Sequence, residues 1–144
     1  MIYVGIDLAW TNKRPSGLCI LNDSGQILFW ETALLEDSDI VAIIQKYDDG
    51  TLQIAVDAPL VVPNENGSRP CDRLFRKHRV HGHALGIFVS NRVFLNKTYG
   101  MIRGELLTQT LLDVFPQCSL TANPANKASC CLLYTSPSPR DLRK

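Results

Sequence analysis

The chain has 144 residues, 45% of them hydrophobic and 20% charged, with 15 Lys and Arg against 14 Asp and Glu. That composition suits one globular domain, or a piece of one, large enough to bury a core without disulfide staples, and it excludes long disorder, collagen and coiled coil. The formal net charge of +1 excludes a protein that coats nucleic acid by bulk charge but leaves room for a local basic patch.

MIYVGIDLAW at the N-terminus has no basic leader and carries Asp7, so it predicts a strand rather than a signal peptide. Ile2, Val4, Ile6 and Leu8 alternate with Tyr3, Gly5, Asp7 and Ala9. Both sets are largely apolar, which predicts a strand covered on both faces. TNKRPS at 11–16 is turn chemistry, GLCILN at 17–22 a second strand and QILFWE at 26–31 a third, with Asp23-Ser24-Gly25 as the hairpin signal between them. Asp37 or Ser38 is placed to cap a helix in which Ile40, Ile43, Ile44 and Tyr47 share a face, and Asp48-Asp49-Gly50 stops it. LQIAVDAPL at 52–60 then predicts a buried strand ending at Asp57, because Pro59 cannot continue a central ladder. The order is β-β-β-α-β, with the helix returning the chain so that the fourth strand lies parallel to the first.

VVPNENGS at 61–68 reads as a loop, Ser68 as an N-cap, and RPCDRLFRKH as a helix with Pro70 in its first turn. VHGHALG reads as a loop, and IFVSNRVFL as either a short strand or an ordered loop. RGELLTQTLLDVF at 103–115 predicts a helix that buries Leu106, Leu107, Thr110, Leu111 and Val114, and QCSLTA at 117–122 a fifth strand. The end differs: CCLLYTSPSPRDLRK at 130–144 has no periodicity and two Ser-Pro steps. It resembles the translated adaptor sequence found at the ends of open reading frames in assembled sequencing data. The expectation is therefore a domain over 1–129 that is C-terminally incomplete, followed by a non-native tail at 130–144.

Asp7 and Asp57 carry the chemistry. If their strands pair in parallel, two carboxylates lie side by side at one end of the sheet. Their repulsion is relieved by a proton or by a cation between them. A divalent metal is the natural counterion, since Mg²⁺ prefers one or two carboxylates plus substrate phosphate oxygens. The plainer reading is that each Asp hydrogen-bonds a nearby turn. Arg69, Asp72, Arg73 and Arg76 fall at i, i+3, i+4 and i+7, so a helix would place them on one face, suited to a phosphate backbone or to an internal Asp–Arg pair. His78, His81 and His83 lack the spacing and the cysteine partners of a zinc site and read as exposed loop residues. Glu105 is either a further carboxylate aimed at the sheet end or a first-turn acid that suits the helix dipole. Neither a G-x-G-x-x-G nor a Walker A pattern is present, and Ser16, Ser90 and Cys71 lack the setting of an activated nucleophile. Cys19, Cys71, Cys118, Cys130 and Cys131 show no C-x-x-C pair, which predicts reduced thiols and a cytoplasmic protein. No apolar run reaches the roughly 18 residues of a membrane span.

GIDLAW at 5–10, PSG at 15–17, VDAPL at 56–60, PNENGSRPCDR at 63–73 and RGE at 103–105 together resemble, over about residues 1–125, the family known as domain of unknown function 429. That family is described as predicted ribonuclease H-like nucleases. The resemblance implies an α/β ribonuclease H-like mixed sheet, a β-β-β-α-β unit followed by helices. It also implies catalytic metal ions, Mg or Mn, held by Asp7 and Asp57, with Asp72 and Glu105 as candidates for a further carboxylate. The first expectation is metal-dependent phosphodiester hydrolysis of nucleic acid, with Arg69, Arg73 and Arg76 gripping the backbone. The alternatives are phosphoryl transfer on an actin-like fold, which opens with the same topology, and a non-catalytic module that binds nucleic acid or protein. Without its later helices the sheet would lack cover, and the 144-residue chain alone is expected to be poorly soluble or molten.

Overall fold

The computed structural model describes residues 1–84, 90–121 and 130–134. β1 (Ile2–Asp7), β2 (Ser16–Asn22) and β3 (Ile27–Ala33) form an antiparallel meander. The turn between β2 and β3 is held by Asn22, whose Oδ1 accepts from the amides of Ser24 and Gln26, while Gly25 takes the left-handed conformation at φ 80°. α1 (Asp37–Tyr47) follows. Its N-cap is Glu36 rather than Asp37 or Ser38, and the Asp39 carboxylate accepts the Glu36 amide at 2.9 Å. β4 (Leu52–Val56) then lies parallel to β1, with Ile2 beside Leu52 and Ile6 beside Val56. At the start of the pair the Met1 amine donates to Asp49 at 2.8 Å, and this bond holds the Asp49 carboxyl down at about 2. The β-β-β-α-β unit and its parallel closure are those the sequence predicts.

The second half departs more. α2 is confined to Pro70–Phe75, capped by Arg69 rather than Ser68. The stretch read as a loop contains a hairpin of β5 (Arg79–Val80) and β6 (His83–Ala84), closed by His81 at φ 50° and Gly82 at φ 80°. Two successive left-handed residues match the twist of a two-residue hairpin, and glycine supplies one of them without strain. Of IFVSNRVFL, Ile87, Phe88 and Val89 lie outside the described residues. Arg92 onward is neither strand nor loop but α3 (Arg92–Tyr99). Its ends carry helix signals: Asn91 Oδ1 accepts the Phe94 amide at 2.8 Å, and Gly100 closes it at φ 78°. α4 (Arg103–Val114) leads to β7 (Ser119–Thr121). Cys130–Tyr134, to which the sequence reading gave no element, forms β8. The sheet order is β3-β2-β1-β4-β8-β7, so β8 rather than β7 pairs with β4.

The core lies on one face of this sheet. Ile2, Val4, Ile6, Leu18, Ile20, Leu52, Ile54 and Val56 pack against Ile40 and Ile44 of α1 and Leu107 and Leu111 of α4, each contributing on the order of 1.5–3 kcal/mol. The expectation of a first strand covered on both faces fails: Tyr3, Gly5 and Asp7 are exposed, and so is Trp30 of β3 at 72%. α1 and α4 lie on the side that Ile2, Val4 and Ile6 face; on the other, Cys19, Gln53, Ala55 and Asp57 are half-buried. The buried side of α4 also differs from the predicted stripe. Leu106 is exposed, whereas Arg103, Gly104, Leu107, Thr108 and Leu111 are buried. Contacts at the first turn, described below, set that rotation. A second small cluster joins Val62, Leu95 and Ile102 to Trp10 and Tyr99, whose rings stack 5.2 Å apart. Cys19 is a free thiol, while Cys118 is disulfide-bonded, so reduced thiols throughout is not what the structure shows.

Candidate carboxylate site at the sheet end

Asp7 is the last residue of β1, and Asp57 follows the last residue of β4. The two strands run in parallel with Ile6 beside Val56, and the Asp57 amide donates to the Ile6 carbonyl at 2.8 Å. The register therefore carries one step further and sets Asp7 beside Asp57 at the C-terminal ends of adjacent strands. Asp7 is exposed and Asp57 half-buried. Alternation explains the placement. With Val4 and Ile6 fixed toward the core, Asp7 must point to the open face.

Three consecutive residues at the start of α4 hold the chain where it leaves these strands. Arg103 is 4% exposed. Its Nε donates to Asp37 Oδ1 at 2.9 Å, Nη1 to the Ala9 carbonyl and to Ser16 Oγ, and Nη2 to the Leu35 carbonyl. Ser16 Oγ in turn accepts the Ala9 amide at 3.1 Å. One planar guanidinium thus ties the exit of β1, the start of β2 and the approach to α1. Gly104 lies against Pro59, and a Cβ at position 104 would stand 2.4 Å from the Pro59 carbonyl oxygen. Glu105 accepts the Val62 amide at 2.8 Å and two contacts from Arg92 Nη2, at 2.8 and 2.9 Å. The RGE sequence is therefore a fastening between α4 and the segments that follow Asp7 and Asp57. Sequence reasoning noticed the triplet but missed the role of Arg103. Its signal was a lone arginine in a first helical turn, where the helix dipole disfavours a cation.

Asp72 and Glu105, the candidates for a further carboxylate, are committed elsewhere. Asp72 is 2% exposed and forms a bidentate pair with Arg69, from Nε to Oδ2 and from Nη2 to Oδ1 at 3.0 Å each, while Oδ2 also takes the Arg69 amide. Arg69 is itself buried, at 7%. It caps α2 from outside and folds back onto Asp72, so it does not share an exposed face with Arg73 and Arg76. Those two are exposed, as are His78, His81 and His83. Ser16 is fully buried within the Arg103 network, and Ser90 is buried at 3%.

Asp7 and Asp57 supply the hard oxygen donors that Mg²⁺ or Mn²⁺ takes one or two at a time, leaving other positions to water or substrate oxygens. The donor set fits such an ion. Among the described residues no third His, Cys, Asp or Glu joins them in a metal-holding group. A cleft of about 250 Å³ lies at the same end of the molecule, where α1 and α4 begin, lined by Asn12, Glu36, Asp37, Ser38, Met101 and Arg103. It does not include the carboxylate pair. Among the described residues no helix is long and apolar enough to cross a membrane.

The family model described as "Protein of unknown function (DUF429)" matches residues 5–99. The matched span holds Asp7, Asp57 and the Arg69–Asp72 pair and ends before the RGE triplet. No curated protein and no solved structure matches the chain.

Proposed function

The chain belongs to the DUF429 family of proteins of unknown function, and on that footing and the geometry of the sheet end we propose that it is a metal-dependent phosphodiesterase acting on nucleic acid. The observation that carries this reading is the register of Asp7 and Asp57, neighbours on parallel strands and turned to an open face. Two adjacent carboxylates offer the hard oxygen donors that a divalent cation takes, and an open sheet face gives an extended polymer access to them. Asp7 and Asp57 would hold the ion or ions. A divalent cation at such a site supplies an activated water and neutralises charge on the departing oxygen.

The remaining residues act through position. The hydrogen bond from the Asp57 amide to Ile6 keeps the two strand ends level. Arg103 fixes the chain two residues beyond Asp7, and Gly104 and Glu105 fix it two and five residues beyond Asp57. Asp72 and Glu105 are assigned to this scaffold and not to the reaction. Cleavage of labelled RNA and DNA oligonucleotides with Mn²⁺ tests the reading. The expected outcome is cleavage that needs the metal and falls at least a hundredfold in Asp7→Asn and in Asp57→Asn. Cleavage by both variants at the wild-type rate overturns it.

A further inference from the structure

The charges of this nearly neutral chain are sharply segregated. Residues 1–66 hold ten Asp and Glu against three Lys and Arg, whereas residues 67–103 hold one acid, Asp72, against eight Lys and Arg. Asp72 is buried in a bidentate pair with Arg69. Arg73, Arg76, Lys77 and Arg79 are all exposed. The ion pairs of the described residues include Met1–Asp49, Arg69–Asp72, Arg92–Glu105 and Arg103–Asp37, and Arg73, Arg76, Lys77 and Arg79 take part in none of these. His78, His81 and His83 extend the same surface, also exposed.

Along the chain these cations form one exposed arm, from the end of α2 into the β5–β6 hairpin. α2 ends at Phe75, and the β5–β6 hairpin turns back through His81 and Gly82, where Arg79 Nη1 donates to the Gly82 carbonyl at 3.0 Å. The Arg69–Asp72 pair anchors the base of the arm in the protein. An arm whose turn is already formed loses little freedom on binding.

We infer that the end of α2 and the β5–β6 hairpin form a docking surface for the phosphate backbone of a nucleic-acid duplex. The inference rests on the hydrolytic reading for its choice of polyanion and adds where the polymer is held and in what form. Among the described residues these four cations join none of the ion pairs named above, and a row of exposed cations is the complement of a phosphate ladder. Past Phe75 at the end of α2, residues 76–84 (RKHRVHGHA) contain no Phe, Tyr or Trp, so the hairpin lacks the aromatic platforms on which single strands stack. It can position a duplex by its phosphates without reading bases.

Fluorescence anisotropy with the full chain, a labelled 20-base-pair duplex and chelator present measures binding apart from cleavage. Four cations predict that log K falls with log salt at a slope of about −3.6, from roughly −0.9 per phosphate contact. Arg73→Ala/Arg76→Ala/Lys77→Ala should flatten the slope by about 2.7 on the same basis and weaken binding at least tenfold at 0.1 M salt. Arg73→Lys/Arg76→Lys should keep the slope, which shows that charge and not packing is read. An unchanged slope in the alanine variant, tighter binding of a single strand of equal length, or binding to anionic phosphatidylserine vesicles in place of the duplex overturns the inference. The two readings fail separately. Undiminished cleavage by Asp7→Asn with an intact arm-dependent slope removes the hydrolytic assignment alone, and lost cleavage with an arm-independent slope removes the docking surface alone.

Discussion

Gly104 sits where the backbone of α4 meets the turn that carries the chain away from Asp57. Helix propensity alone favours alanine over glycine there by about 1 kcal/mol. The position opposes it, because a Cβ would meet the Pro59 carbonyl oxygen at 2.4 Å and the obstacle is backbone rather than a side chain that can swing aside. Overpacking of this kind costs about 1–3 kcal/mol, so Gly104→Ala is expected to be destabilising, read as a lower urea midpoint at constant slope. A raised midpoint would show that the close approach is absent. That Asp7 and Asp57 end neighbouring strands was legible from strand alternation, the break at Pro59 and the parallel pairing that the β-β-β-α-β order predicts. The fates of Arg69 and Asp72 were not. A helical wheel puts them on a common face with Arg73 and Arg76, but α2 begins one residue later, and a residue at the N-cap is free to fold back on the first turn.

α4 shows what periodicity reads and what it overlooks. Its span follows from the sequence almost to the residue, yet the buried stripe is turned so that Leu106 faces solvent and Thr108 does not. The first turn decides that rotation. Arg103 is drawn inward by Asp37 and by the oxygens of Ala9, Ser16 and Leu35, and Gly104 is pressed on Pro59. Removing the guanidinium in Arg103→Met would leave Asp37 and three other oxygens without their shared donor. Breaking a buried pair from one side costs about 3–5 kcal/mol, and the 24% exposure of the Asp37 side chain puts the expected loss at the lower end of that range. Arg103→Lys should recover only part of it, because an ammonium cannot serve four acceptors arranged around a planar fork. Thermal unfolding of the two variants beside the wild type checks both statements. α3 escaped the sequence reading because an apolar run ahead of it resembles a strand; its Asn91 cap and Gly100 stop were the signals to weigh against that run.

Over the whole molecule, the β-β-β-α-β unit was legible because every element in it is short, bounded by turn residues and consistent in period. The far side of the sheet was not. The strand expected to be fifth, β7, is separated from β4 by β8, and no local pattern states the order in which parallel strands insert. The cover of the sheet was misjudged for a related reason. Tyr3 and Gly5 look like core positions in a list of residues, but only the faces on which α1 and α4 land decide which alternation is buried. The open face also leaves Asp7 in contact with solvent. Calorimetric titration of Mn²⁺ into the chain tests that pair most directly, with Asp113→Asn as a control for removal of an exposed carboxylate far along α4. The account predicts a binding isotherm for the wild type and the control, weakened at least tenfold in Asp7→Asn and in Asp57→Asn. Equal Mn²⁺ affinity in all four proteins would contradict it.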